Sequence, residues 1–327
     1  MSEIKYKSYD STINNFKTKL QENGVAVVPN ILSNEECIRY RDEIWKELKY
    51  VMKDRFDISK SETWREFYTL YPLHSMLLQH FSLGHMQQIW DIRQNEKVCE
   101  IFCKLWNCKK EDLIVSFDGL SIHLPPEDTR KGWFRKEWFH TDQSPKKEGL
   151  HCVQGMITLY DVREDDATLM VMEKSHSFHA DFFDQKEFPE GDSKEKTGDW
   201  YKLEEDEYDF FKKKKCDKKA VLASEGSIIL WDSRTFHQGK EPNLHRDNKN
   251  FRMVIYICMM RRDTATDKVL TKKIKAFEEL RVTNHWANNP KLFPKHPRTY
   301  GGDLPDLNQI HQPVLSNLGR RLVGYDK

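Results

Sequence analysis

The hydrophobic pattern of this chain changes period twice, near residue 113 and again near residue 262. Up to about residue 110 most apolar positions recur every three or four residues, the spacing of helices with one buried face. A first helix is expected over 9–22, ended by Gly24. Val25-Ala26-Val27-Val28 then reads as a buried strand closed by Pro29. Ser33 and Glu36 stand at capping-box spacing, and the helix behind them carries Cys37, Tyr40, Ile44, Leu48 and Met52 on one stripe. A second helix over about 93–106 aligns Val98, Ile101, Phe102 and Leu105. Both helices read as scaffold.

Beyond residue 113 short β-rich stretches alternate with turns: 113–124, 137–142, 152–160, 168–172, 227–231 and 251–259. Such a series predicts an antiparallel sandwich or barrel. Residues 180–220 interrupt it with Glu204-Glu205-Asp206-Glu207 and Lys212-Lys213-Lys214-Lys215. That charge predicts a solvated helical insertion, with a lid or partner-docking element as the functional alternative. After Arg262 helical spacing returns at Val269, Leu270, Ile274, Phe277 and Leu280. The tail from Asn284, rich in Asn, Pro and Gly, is expected to wrap the surface.

The 53 Lys and Arg residues nearly cancel the 52 Asp and Glu, for a net charge of +1. A chain so balanced lacks the field that drives non-specific binding to nucleic acid, which is not expected as a partner. No apolar run approaches the roughly 18 residues of a membrane helix. Met1-Ser2-Glu3-Ile4-Lys5-Tyr6 has no secretory apolar segment. The seven cysteines contain no Cys-x-x-Cys pair and read as reduced thiols, so a cytoplasmic location is expected.

Phosphate loops, Gly-x-Ser-x-Gly elbows and His-Glu-x-x-His helices are missing from the chain. His245-Arg246-Asp247 copies a kinase triplet, but Arg252 stands where that motif needs Asn. What remains is His140-Thr141-Asp142 at the end of an apparent strand. There the histidine and the carboxylate share a face. A second histidine from a neighbouring strand, His237, would complete two imidazoles and one carboxylate on one side of a metal. Three positions would stay open for a chelating cosubstrate and dioxygen. Gly226-Ser227-Ile228-Ile229-Leu230-Trp231-Asp232 is a turn glycine and buried strand that delivers His237. In Arg252-Met253-Val254-Ile255-Tyr256 the arginine shares a face with Val254 and Tyr256. A buried guanidinium there requires an anion. A dicarboxylate cosubstrate supplies one in a bidentate pair; the alternative is an edge-strand arginine in solvent.

Taken in order, residues 24–32, 121–126, His140-x-Asp142, 153–162, 169–176, 226–237 and Arg252 resemble the phytanoyl-CoA dioxygenase-like family, over roughly residues 20–300. The resemblance implies a mainly β fold with flanking α-helices around a double-stranded β-helix (jelly-roll, cupin-like) core. It implies a single oxygenase domain over 1–327. A helical scaffold spans about 1–110, the core about 111–262 with the charged insertion 180–220, and a C-terminal helix and tail 263–327. It implies Fe(II) and 2-oxoglutarate as cofactors, with ascorbate in support, and dioxygen and a small molecule as the reacting partners.

Carried over by the same resemblance, His140, Asp142 and His237 are iron ligands, and Arg252 holds the distal carboxylate of 2-oxoglutarate. Gln154, Met156 and Thr158 share a strand face that lines the cosubstrate pocket; ordinary barrel filling is the alternative for Gln154 and Met156. Two features depart from the family. Glu173-Lys174 stands where Pro-Gly is common, and the long connection from His237 to Arg252 makes Arg246 a competitor. His176 and His179 read as satisfied surface or loop histidines rather than ligands. Trp133, Phe134 and Trp138 are core aromatics or a substrate mouth, and Arg234 and His123 are candidate contacts for a polar or anionic substrate. The implied reaction is hydroxylation of an aliphatic C–H with decarboxylation of 2-oxoglutarate to succinate. A carboxylate at Asp142 leaves no vacancy for a halide, which favours hydroxylation over halogenation. The alternatives are a non-catalytic β-helix binding protein and a jelly-roll metalloenzyme that does not use 2-oxoglutarate.

Overall fold

In the computed structural model the described residues are 4–72, 76–130, 137–243 and 246–326. The N-terminus opens with a strand, β1 (Lys5–Ser8), and this moves the first helix, α1 (Phe16–Asn23), later than its apolar spacing suggests. Gly24, at φ 79°, ends α1 in the left-handed region and leads directly into β2 (Val25–Val28). The capping box ahead of α2 (Asn34–Val51) forms as expected. Ser33 Oγ accepts from the Glu36 N–H at 3.2 Å, and Glu36 Oε2 accepts from the Ser33 N–H at 2.7 Å. The helix expected over about 93–106 is α4 (Glu96–Trp106), and a separate short helix, α3 (Gln87–Arg93), precedes it. Asn95 makes the break, accepting from the Lys97 N–H at 2.9 Å. Val98, Ile101, Phe102 and Leu105 are all buried on α4.

The remaining elements are β3 (Leu113–Val115), β4 (Leu120–His123), α5 (Pro126–Thr129), β5 (His140–Thr141), β6 (Val153–Thr158), β7 (Thr168–Met172), α6 (His179–Gln185), β8 (Tyr201–Lys202), α7 (Tyr208–Lys213), β9 (Lys218–Leu222), β10 (Ile228–Asp232), β11 (His237–Lys240), β12 (Arg252–Ile257), β13 (Met259–Arg261), α8 (Asp267–Glu278) and α9 (Asn317–Val323). One sheet runs β1-β9-β7-β11-β5-β8 and the other β2-β10-β6-β12-β4, while β13 pairs with β3. Val171 and Val221 of the first sheet pack against Val25, Val27, Met156, Ile229, Trp231 and Val254 of the second. The outer face of the second sheet buries Ala26, Ile157, Leu230 and Ile255 against Ile44, Leu48 and Phe102 of the helices. The architecture is thus a double-stranded β-helix with flanking helices, its two sheets facing each other with open edges. At Gly155 a Cβ would lie 2.9 Å from the Ile257 carbonyl oxygen, so the approach of β6 to β12 there requires glycine.

The insertion is not merely a solvated helix. Phe182, Phe183, Leu203, Phe211 and Cys216 bury themselves against Phe139, Met170, Met172 and Phe236, on the outer face of the β1-containing sheet. The Lys212–Lys215 run stays exposed, so the charges coat a packed aromatic layer. Phe211→Ala is expected to reduce stability by about 3–5 kcal/mol in urea unfolding, the usual loss for a large buried ring. A change under about 1 kcal/mol would mean that the layer detaches as a lid. At the other end α8 buries Leu270, Ala276 and Phe277, whereas Val269, Ile274 and Leu280 are half-buried. The tail ends in α9, whose Leu322 and Val323 enter the main core. All seven cysteines are free.

Candidate active site

Strands β5 and β11 are neighbours, and His140 and His237 are register partners across them, which brings the two rings to a centroid separation of 4.4 Å. Asp142, one residue beyond β5, is tied back by its N–H to the Ser233 carbonyl at 2.9 Å, in the turn between β10 and β11. Its Oδ2 lies 3.7 Å from His140 Nε2 and 3.4 Å from His237 Nε2. One nitrogen or oxygen from each of the three residues lies within 4.8 Å of the others, close enough to hold one metal ion. His237 Nδ1 is 2.9 Å from the Thr235 carbonyl, which can only accept, so the proton sits on Nδ1 and Nε2 presents its lone pair. Burial raises the Asp142 carboxyl, but His140 and His237 outweigh that and hold it well below the usual carboxylate range. Burial, with His140 alongside, lowers the His237 imidazole. A carboxylate and a neutral imidazole are the forms a metal requires.

Gln154, on the interior face of β6, donates its amide to Asp142 Oδ2 at 2.9 Å and fixes the carboxylate. Gln154→Leu is expected to weaken Fe(II) binding about 10–100-fold, the range for outer partners of metal ligands. Metal titration of the variant checks this, and unchanged affinity would return Gln154 to barrel filling.

On β12, beside β6, Arg252 is buried, and its Nη2 reaches Met156 Sδ at 3.7 Å. Its Nε and Nη1 have no hydrogen-bond partner among the described residues. Arg246, the competitor, is taken. It pairs with Glu127 at 2.7 Å through Nε, with Asp166 through Nη1, and with the Asn250 carbonyl at 3.0 Å. Thr158 donates its hydroxyl to the Tyr160 carbonyl at 2.6 Å, so it offers the interior an acceptor. His123 lies opposite Arg252 in the register; burial, with Arg252 and Arg246 nearby, drives its pKa well down. Arg234 is clasped by Asp232 at 3.0 and 2.6 Å, so its charge is already paired within the turn after β10.

Nε2 of His176 and Nε2 of His179 meet the Gln21 and Gln143 carbonyls at 2.9 Å each, while His176 Nδ1 has no hydrogen-bond partner among the described residues; both rings are buried rather than on the surface. Lys174 adopts φ 67°, so the turn keeps the left-handed residue that glycine suits. Trp138 stacks on His140 at 4.9 Å and 12°. Trp133 and Phe134, like His245, lie outside the described residues. Sequence reasoning missed Trp200, which stands in the insertion 58% exposed with its ring 5.9 Å from that of His140. An indole amid charged residues was its only signal.

A β-helix that aims two imidazoles and a carboxylate at one point, and keeps an unpaired guanidinium further in, is the scaffold of the Fe(II)- and 2-oxoglutarate-dependent oxygenases. The profile of the phytanoyl-CoA dioxygenase (PhyH) family matches residues 20–244, and the chain belongs to that family. Iron(II) and 2-oxoglutarate are its cofactors, and family members act on small molecules with dioxygen. Ava biosynthesis cluster protein O of Aspergillus versicolor is 28% identical over 272 residues, covering 83% of this chain and 85% of that protein. The hypothetical protein JW0805 of Escherichia coli shares the fold with a TM-score of 0.59 at 13% identity, over 98% of this chain and 85% of that one. GlcNAc Inducible Gene 2 of Candida albicans does so with a TM-score of 0.53 at 10% identity, over 83% of this chain and 70% of that one. Among the described residues no helix is long and apolar enough to cross a membrane.

Proposed function

We propose that the protein hydroxylates an aliphatic C–H bond of a small molecule, with 2-oxoglutarate decarboxylated to succinate, in one domain spanning 1–327. The observation that carries this reading is Arg252, a buried guanidinium whose Nε and Nη1 have no hydrogen-bond partner among the described residues. Leaving such a charge dry costs several kcal/mol unless an anion fills the space. A diacid reaching from there toward His140, Asp142 and His237 has the shape of the cosubstrate. When bound, iron and 2-oxoglutarate together supply dioxygen activation and oxidative decarboxylation.

In this reading His140, Asp142 and His237 hold the iron, and Gln154 orients the carboxylate. Arg252 takes the distal carboxylate, with Met156 and Thr158 along the interior wall. Asp142 fills the position a halide would need, which favours hydroxylation over halogenation. Trp138 and Trp200 flank His140 and present ring surface to an incoming substrate. The A. versicolor relative is named for a biosynthesis cluster, which supports a biosynthetic small molecule rather than nucleic acid as substrate. Seven free cysteines suit a reducing cytoplasm. The test is succinate formation from 2-oxoglutarate by anaerobically reconstituted protein on admission of dioxygen. Iron-dependent succinate is expected; no succinate together with no 2-oxoglutarate binding would favour a β-helix binding protein.

A further inference from the structure

On the interior wall that runs from Arg252 to His237, the buried polar groups without a hydrogen-bond partner among the described residues include two kinds of donor: Nε and Nη1 of Arg252, and Nε1 of Trp231. Trp231 lies opposite Gln154 in the register of β10 and β6, and Ile229 lies opposite Met156, so the indole shares the interior face with both β6 side chains. Its ring is 5.4 Å from the ring of His237. At the other end, the Arg252 guanidinium reaches Met156. The order along the wall is therefore Arg252, Met156, Trp231, His237. Met156 and Gln154 are two strand residues apart, about 7 Å, a span that a five-carbon diacid bridges.

A tryptophan that only filled space here would leave its N–H without a hydrogen bond, which is unfavourable in a dry interior, and a phenylalanine would serve better. Idle donors at both ends of one wall call for a ligand with acceptors at both ends. Gln154 spends one of its two amide N–H donors on Asp142 Oδ2, which holds it as the carboxylate's partner. We propose that the Trp231 indole N–H binds the oxo-acid end of 2-oxoglutarate, the end nearest His237, while Arg252 binds the distal carboxylate. The inference rests on the 2-oxoglutarate reading above.

Trp231→Phe removes the N–H and keeps a ring, and Trp231→His keeps a ring N–H in a smaller frame. Both are titrated by calorimetry, Fe(II)-loaded and anaerobic, with 2-oxoglutarate, its non-reacting analogue N-oxalylglycine, and succinate, which lacks the oxo-acid end. Melting of the metal-free proteins is followed alongside. In the Phe variant the first two ligands are expected to bind about tenfold more weakly, equivalent to about 1.4 kcal/mol. Succinate and Fe(II) binding should stay within about twofold, and the metal-free melting temperature should hold or rise as the idle donor goes. The His variant should recover part of the loss, and it answers the question alone if the Phe variant does not fold. Unchanged 2-oxoglutarate affinity in the Phe variant would overturn the assignment. So would an equal loss for succinate with a lower melting temperature, which marks simple packing damage. If the wild-type protein binds none of the three diacids, the oxygenase reading itself falls and takes this inference with it.

Discussion

Arg252→Met should raise the 2-oxoglutarate dissociation constant by about a hundredfold or more, while making the metal-free protein more stable. The two effects share one cause. Truncating one side of a buried, hydrogen-bonded charge pair typically costs about 2–5 kcal/mol of binding, and the bidentate fork of arginine is not replaced by a thioether. Without ligand, however, Nε and Nη1 of Arg252 are dry and unpaired among the described residues, so a methionine of similar volume relieves a desolvated charge. Arg246→Met should behave in the opposite way. It would leave Glu127 and Asp166 without their cation and lose about 3–5 kcal/mol of stability, with far less effect on 2-oxoglutarate affinity. Calorimetric titration and urea unfolding of both variants measure this crossing pattern. An Arg252→Met protein that is less stable and binds 2-oxoglutarate normally would make Arg252 a structural residue.

That contrast was only half legible in the sequence, and the reason is physical. Arg252 could be placed on an interior face because β12 alternates cleanly, Arg252, Val254 and Tyr256 against Met253, Ile255 and Ile257. Nothing in the spacing of Arg246 and Arg252 says which of them meets carboxylates contributed by Glu127 and Asp166, more than 75 residues away in the chain. Strands β6, β7, β10 and β12 carry enough apolar residues to be read directly. Strand β11 does not: His237-Gln238-Gly239-Lys240 has no apolar alternation. Its interior positions are a candidate metal ligand and a glycine that makes room for Met76, whose Sδ would stand 2.7 Å from a Cβ. Strands β1, β8 and β9 are short or lysine-bearing and were missed for the same lack of signal.

The insertion misled for a related reason. Its exposed lysines and glutamates dominate the composition, whereas the phenylalanines that pack it, Phe182, Phe183 and Phe211, are scattered among them. The His-x-Asp pair was readable because a two-residue spacing on a strand already fixes a common face. The convergence of His237 required the pairing of β11 with β5, which is a property of the fold and not of any segment.

Asp142→Ala should abolish iron-dependent succinate formation, a fall of about a thousandfold or more, beyond the 10–100-fold that outer partners contribute. Asp142 is the point where the site's contacts meet: Oδ2 faces both imidazole Nε2 atoms and accepts the Gln154 amide, and the backbone N–H is pinned to Ser233. Alanine removes the only anion among the three grouped residues, so two neutral imidazoles must hold a dication unaided. It also leaves the Gln154 amide without its acceptor. Asp142→Asn separates charge from shape, since the amide keeps the size of the carboxylate but not its charge. If the charge is what holds iron, Asn should lose iron nearly as completely as Ala. If Asp142 mainly braces the turn through its backbone and Gln154, Asn should retain iron and turnover while Ala loses stability. His140→Ala serves as the matching control on the imidazole side. Metal content by mass spectrometry and succinate yield, read together, decide the point. Iron content and succinate formation both unchanged in Asp142→Ala would take the carboxylate out of the metal centre and leave the two histidines without the third ligand the oxygenase chemistry needs.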